Sequence, residues 1–136
     1  MEEYNKRTEI PSDIRYIKKI SKEILKHLQH RKIDKYIQFD VRLATEEAIR
    51  NAIIHGNHSN KKLPVAVSYT VNKDKIEIEV EDRGEGFDVK NIPDPRTKDY
   101  IMKEGGRGIF LMQELMDKVE YNKKGNKVKI TKFTSH

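Results

Sequence analysis

Apolar residues recur along this chain in two rhythms, one helical and one of period two. Ile14, Ile17, Ile20, Ile24, Leu25 and Leu28 follow helical spacing, with Lys18, Lys19, Lys22, Glu23 and Lys26 between them. That is the stripe of an amphipathic helix. Pro11 blocks an earlier start, Ser12 is the predicted N-cap, and the helix should end near His30. Ahead of it, Tyr4 to Ile10 suits a short edge strand. Past a short connection through Asp34, a second helix is predicted from Gln38 to His55, stopped by Gly56 and Asn57 as left-handed C-cap residues. From Pro64 the rhythm changes to two. Pro64 to Val71 reads as a strand and Asn72, Lys73 and Asp74 as a turn. Ile76, Ile78 and Val80 then alternate with Glu77, Glu79 and Glu81. An antiparallel hairpin with one covered and one wet face follows from that alternation. Asp88 to Lys103, with Pro93 and Pro95, has little periodicity and reads as a long loop, of the length that in compact domains forms lids or disordered stretches. Glu104-Gly-Gly-Arg-Gly108 then opens a short helix, with Ile109, Leu111, Met112, Leu115 and Met116 as its apolar surface. The strands Lys118 to Tyr121 and Lys127 to Phe133, joined by an Asn-Lys-Lys-Gly-Asn turn, come last.

Composition narrows this picture only a little. A length of 136 residues predicts one domain, 1–136, with one site. Charged residues make up 37% against 35% hydrophobic, but the apolar ones are clustered and periodic, which argues against disorder. The net charge of +6 raises the question of nucleic acid, yet no aromatic-interleaved basic motif or groove-reading element is present. The expectation is therefore no direct nucleic-acid partner and a solvated lysine-rich surface. With no cysteine there is no disulfide framework and no thiolate metal site. The first residues lack the apolar core of a signal peptide and no run reaches membrane-spanning length, so no membrane association and a cytoplasmic location are expected.

Three polar clusters carry the candidate chemistry. On the second helix Glu47, Asn51 and His55 fall one turn apart on one stripe beside Ala44, Ala48 and Ala52. A carboxylate and an amide on a helix otherwise built for burial need a partner, since burying either alone costs several kcal/mol. Asp82-Arg83-Gly84-Glu85-Gly86 ends the second hairpin strand. Glycines there permit close backbone approach, and a strand-end carboxylate can accept from a flat amine-bearing ring, although a plain turn accounts for the pattern about as well. Gly105, Gly106 and Gly108 precede a helix whose first amides could meet phosphate, and Arg107 adds a donor suited to phosphate oxygens. A flexible hinge and a solvated arginine are the plainer readings. His55 and His58 do not make a metal site, for want of a third ligand at proper spacing.

In this order the clusters resemble the N, G1 and G2 boxes of the GHKL ATPases, and most of all those of the small anti-sigma-factor serine-protein kinases. The likeness rests on Glu47-Ala-Ile-Arg-Asn51-Ala-Ile-Ile-His-Gly56, Asp82-x-Gly84-x-Gly86, and Gly-Gly-Arg-Gly-Ile-Phe-Leu-Met from Gly105 followed by Leu-Met-Asp-Lys-Val. It spans nearly the whole chain. It implies a Bergerat-type α+β two-layer sandwich, with a mixed, mostly antiparallel sheet and helices on one face. By the same resemblance ATP and Mg2+ are the cofactors, Glu47 the general base and Asn51 the magnesium ligand. Asp82 would receive the adenine amine, Gly86 would pack on the base, and the long loop would be the ATP lid, with amides from Gly106 to Gly108 at the phosphates and Arg107 steadying the transferred group. The implied partners are a STAS-type anti-sigma-factor antagonist as phosphoryl acceptor, a sigma factor, and a second copy of the chain in a homodimer. A non-catalytic ATP-binding module that only switches partners is the alternative. One position departs from the pattern: where many relatives have Gly-Thr before the last strand, this chain has Gly125-Asn126. Asparagine both donates and accepts, so an altered contact with Asp82 is expected there.

Overall fold

A computed structural model describes residues 2–86 and 106–134. In chain order the elements are β1 (Tyr4–Pro11), a 3-10 turn (Ile14–Tyr16), α1 (Ile17–His30), α2 (Lys35–Asn51), a π turn (Ala52–Gly56), β2 (Pro64–Val71), β3 (Lys75–Glu81), α3 (Gly106–Leu115), β4 (Lys118–Tyr121) and β5 (Lys127–Phe133). The strands form one sheet in the order β1-β2-β3-β5-β4. Every ladder among the described residues is antiparallel. The predicted long loop lies outside the described residues.

Register places the core. Val67 is opposite Val80, Val80 opposite Val128, and Val128 opposite Tyr121, while Tyr69, Ile78, Ile130 and Val119 form the next row. Because side chains alternate along each strand, these rows all fall on one face. That face meets Ile17, Ile20, Ile24 and Leu28 of α1 and Val41, Ala44, Ala48 and Ile49 of α2 in a single buried cluster. Each isoleucine, leucine or valine among them contributes about 1.5–3 kcal/mol when fully buried. The opposite face carries ion pairs from Glu77 to Lys75 and Lys129 and from Glu79 to Lys127, as the alternation predicts. Among the described residues no helix is long and apolar enough to cross a membrane.

Three local expectations are corrected. Ser12 does not cap the first helix. Its hydroxyl is buried and donates to the Leu63 carbonyl (2.6 Å), and Asp13 caps the 3-10 turn ahead of α1, accepting from the Arg15 amide (3.0 Å). The pairing with Arg15 also holds the Asp13 carboxyl well below the usual carboxylate range. Ile14, counted in the apolar stripe, falls in that 3-10 turn and is exposed. Finally, α2 starts at Lys35 with Asp34 as its cap and is regular only to Asn51. The left-handed residues after it are His58 (φ 51°) and Ser59 (φ 57°), whereas Asn57 has φ −95°. The π turn spends an extra residue before the reversal, which frees Asn57 to point its side chain inward.

Candidate functional site

The π turn brings Gly56 against the end of β3. A Cβ built on Gly56 would sit 2.3 Å from the Asp82 carboxyl carbon, and one on Gly84 only 2.1 Å from the Gly56 carbonyl oxygen. Gly56 thus makes room for the Asp82 side chain, and Gly84 lets its own backbone touch that of Gly56. The Asp82 carboxylate, 9% exposed, accepts from the Gly84 amide at 2.8 Å. Burial pushes its pKa up, while the Gly84 amide, Lys124 and His58 pull the other way. An acceptor held in a dry place is thus aimed at whatever fills the adjoining space.

That space is a cavity of about 440 Å³, within the range of small-ligand pockets. Ala48, Asn51, Ala52 and His55 of α2 and the π turn form one wall. Val80, Asp82, Gly86, Tyr121, Asn126 and Val128 form the sheet side, and Ile109 and Met112 of α3 close it. Gly86 adopts φ +80°, and a Cβ there would lie 1.9 Å from the Lys124 carbonyl oxygen, so no other residue fits.

At the far side α3 packs on α2 through Gly108. A Cβ on Gly108 would meet Asn51 Nδ2 at 2.6 Å and Glu47 Oε2 at 3.1 Å. The small residue lets the first turn of α3 reach the polar stripe. Glu47 is less buried than the helix pattern suggested, its side chain 24% exposed, and its Oε1 accepts from Arg50 at 3.0 Å. Asn51 is half-buried and lines the cavity. The stripe is thus an opening in the packing. Arg107 is exposed on the first turn of α3, Gly106 begins that helix, and Gly105 lies outside the described residues. Gly84 stands behind the cavity, acting through its contact with Gly56.

Asn126 makes the altered contact with Asp82 anticipated from its residue type, but to the main chain. Its Nδ2 donates to the Asp82 carbonyl (3.1 Å), and the Asp82 amide donates back to the Asn126 carbonyl (2.9 Å). Three contributors were missed in the sequence. Asn57, 1% exposed, donates to Ser12 Oγ (2.9 Å) and the Pro64 carbonyl (3.1 Å) and accepts from the Arg83 amide (2.7 Å). Asn122 organises the β4–β5 turn and contacts Asn126, and Tyr121 lines the cavity. The Asn-x-x-Gly spacing of the turn was a usable signal for Asn122; nothing local marks Asn57 as buried.

The "Histidine kinase-like ATPase domain" family matches residues 10–132. The chain is 36% identical over 89 residues to the serine-protein kinase RsbW of Oceanobacillus iheyensis, covering 61% of this chain and 56% of that protein. It is 33% identical over 102 residues to the serine-protein kinase RsbW of Staphylococcus aureus strain JH9, covering 69% and 64%. The matched region thus spans 56–64% of the length of these relatives. The polar stripe, the glycine-lined strand end and the helix that closes on them lie within the matched span, and the chain belongs to the histidine kinase-like ATPase domain family.

Proposed function

We propose that this protein is a cytoplasmic serine-protein kinase that binds ATP with Mg2+ and transfers the γ-phosphoryl group to a serine of a small STAS-type anti-sigma-factor antagonist. It would also bind and inhibit a sigma factor, as a homodimer. The observation that carries the reading is the packing of Gly108 onto Asn51 and Glu47. It sets the first amides of a helix, a metal-suited amide oxygen and a carboxylate side by side, next to a cavity lined by Asn51 and by the buried Asp82. The names of the relatives point to the same class of reaction.

The residues fit the two cofactors. Asn51 offers an uncharged hard oxygen, the donor type that magnesium accepts together with water and phosphate. The amides from Gly106 to Gly108 open α3, where helix geometry leaves them without helical acceptors and favours negative charge. Asp82 would accept from the exocyclic amine of adenine, and Gly86 would let the base lie flat on the strand end. When bound, ATP supplies the phosphoryl group, and magnesium neutralises charge on its oxygens. Glu47 Oε1 is held by Arg50 and Oε2 lies against Gly108 of α3, so the carboxylate is oriented beside the amides that open that helix. That carboxylate would remove the serine hydroxyl proton as the oxygen attacks. Arg107 lies on the first turn of α3, where its guanidinium could steady the phosphoryl oxygens.

Glu47→Gln should lower phosphorylation of the antagonist about 10²- to 10⁴-fold and leave ATP affinity within about threefold. Radiolabelled ATP, the purified antagonist and product analysis measure the first; titration calorimetry measures the second. A protein that binds ATP, labels no antagonist serine and is indifferent to Glu47→Gln would instead be the non-catalytic partner-switching module.

A further inference from the structure

The β4–β5 turn contains a chain of side-chain amides with a single consistent orientation. The Asp82 carbonyl can only accept, so Asn126 must present Nδ2 to it, which turns Asn126 Oδ1 outward. That oxygen accepts from Asn122 Nδ2 at 2.8 Å. Asn122 Oδ1 then faces the backbone and accepts from the amides of Gly125 (2.8 Å), Asn126 (3.1 Å) and Lys127 (3.2 Å). Each amide is locked by the next, and the last link is the main chain of Asp82.

We propose that Asn122 is a positioning residue for nucleobase selection, acting through Asn126 to fix where the Asp82 carboxylate stands in the cavity. The proposal rests on the reading of Asp82 as the base acceptor. Adenine presents its exocyclic 6-amine as a donor. Hypoxanthine has a 6-oxo group there and carries its donor, N1–H, one ring position away. A carboxylate fixed opposite the 6-position takes adenine and meets the hypoxanthine oxygen with repulsion. A carboxylate free to shift can reach N1–H, and the discrimination falls. Selection between the two bases therefore depends on how firmly Asp82 is placed, and Asn126 with Asn122 places it from the sheet side.

Turn capping and relay can be separated with one substitution. Asn122→Asp keeps an oxygen for the three turn amides but cannot donate to Asn126. If Asn126 keeps its orientation, its oxygen faces the new carboxylate with no donor to hold it; if it flips to donate to that carboxylate, its oxygen is turned on the Asp82 carbonyl, so the relay is broken either way. The experiment titrates ATP and ITP against the wild type, Asn122→Asp, Asn126→Ala and Asp82→Asn, with a thermal melt of each. The ratio of ITP to ATP dissociation constants is expected to fall about tenfold in Asn122→Asp and Asn126→Ala, the loss of a well-placed hydrogen bond, with melting temperatures near that of the wild type. Asn126→Ala leaves the turn amides bonded to Asn122, and so gives the answer if Asn122→Asp does not fold. A wild-type ratio in the folded clamp variants, alongside a collapsed ratio in Asp82→Asn, overturns the relay and leaves the base site standing. A wild-type ratio in Asp82→Asn overturns the base site and the relay together.

Discussion

Two connections hold the Asp82–Gly86 strand end, one from each side, and they do so by different means. On the helix side, Asn57 is almost wholly buried and ties the Arg83 amide to Ser12 and Pro64, joining the starts of β2 and the first helical segment. On the sheet side, Asn126 and Asn122 are half-buried, and Asn126 lines the cavity. The first latch gathers three chain segments that are distant in sequence, so losing it loosens the fold. The second is a local turn that reaches across to a single carbonyl, so losing it moves one residue. The same residue type thus serves stability in one place and alignment in the other, and burial decides which.

The largest expected effect is on the buried latch. Asn57→Ala leaves the Arg83 amide and the Pro64 carbonyl without their partner, at about 1–3 kcal/mol for each group. Denaturant unfolding should show a loss of about 3–4 kcal/mol, with ATP and ITP affinities weakened alike. A change in the ratio of the two nucleotides would erase the contrast between the two turns. Next in size is Gly84→Ala. Its Cβ would meet the Gly56 carbonyl at 2.1 Å, a backbone atom with no rotamer to give way. A loss of about 2–3 kcal/mol is expected from the forced separation, and calorimetric titration should find ATP binding greatly weakened because Asp82 is carried with it. Undiminished binding would show that Gly56 and Gly84 need not touch for the cavity to form.

The smallest effect concerns Asp82 itself. Burial raises its folded-state pKa, so the folded protein binds the proton more tightly than the unfolded chain. Stability therefore falls as pH rises from the unfolded carboxylate value through the raised one, and the cost is fully present above that window. Asp82→Asn removes the ionisation and keeps an oxygen for the Gly84 amide. The variant without nucleotide should gain stability relative to the wild type as pH rises through that window. Melting curves across acid to neutral pH measure the difference, and a gap that stays constant with pH would place the carboxylate in a wetter site than its 9% exposure indicates.

Much of the fold was legible because its strands alternate cleanly. Pro64–Val71, Lys118–Tyr121 and Lys127–Phe133 have the bounds that period-two patterning and turn residues predict. The α1 stripe was equally clear apart from Ile14, whose spacing fits but whose place is a 3-10 turn. The candidate site was legible in part. Asn51, Asp82, Gly86 and Asn126 line one cavity, and Gly108 packs on Glu47 and Asn51. What escaped was every role set by a distant partner. Ser12 has the chemistry of a cap but is drawn to Leu63, 51 residues on. Asn57 has the chemistry of a C-cap, and its partners lie 45 residues before and 26 after it.

Periodicity determined, without coordinates, two amphipathic helices and an antiparallel hairpin with one covered face, while helices on one face of a larger sheet and the gathering of the polar clusters into one site were implied by the resemblance to the GHKL ATPases. The first of these follows because alternation and helical spacing are local, and each residue's side of an element is fixed by its neighbours in the chain. Tertiary structure alone decided that the Glu47 and Asn51 stripe opens onto a cavity. It also decided that α2 closes in a π turn to reach Asp82, and which asparagines became latch and relay. Hydrogen-bond partners are chosen by position in space, and a side-chain amide can serve as cap, clamp or ligand with equal chemistry until the fold brings one partner within reach.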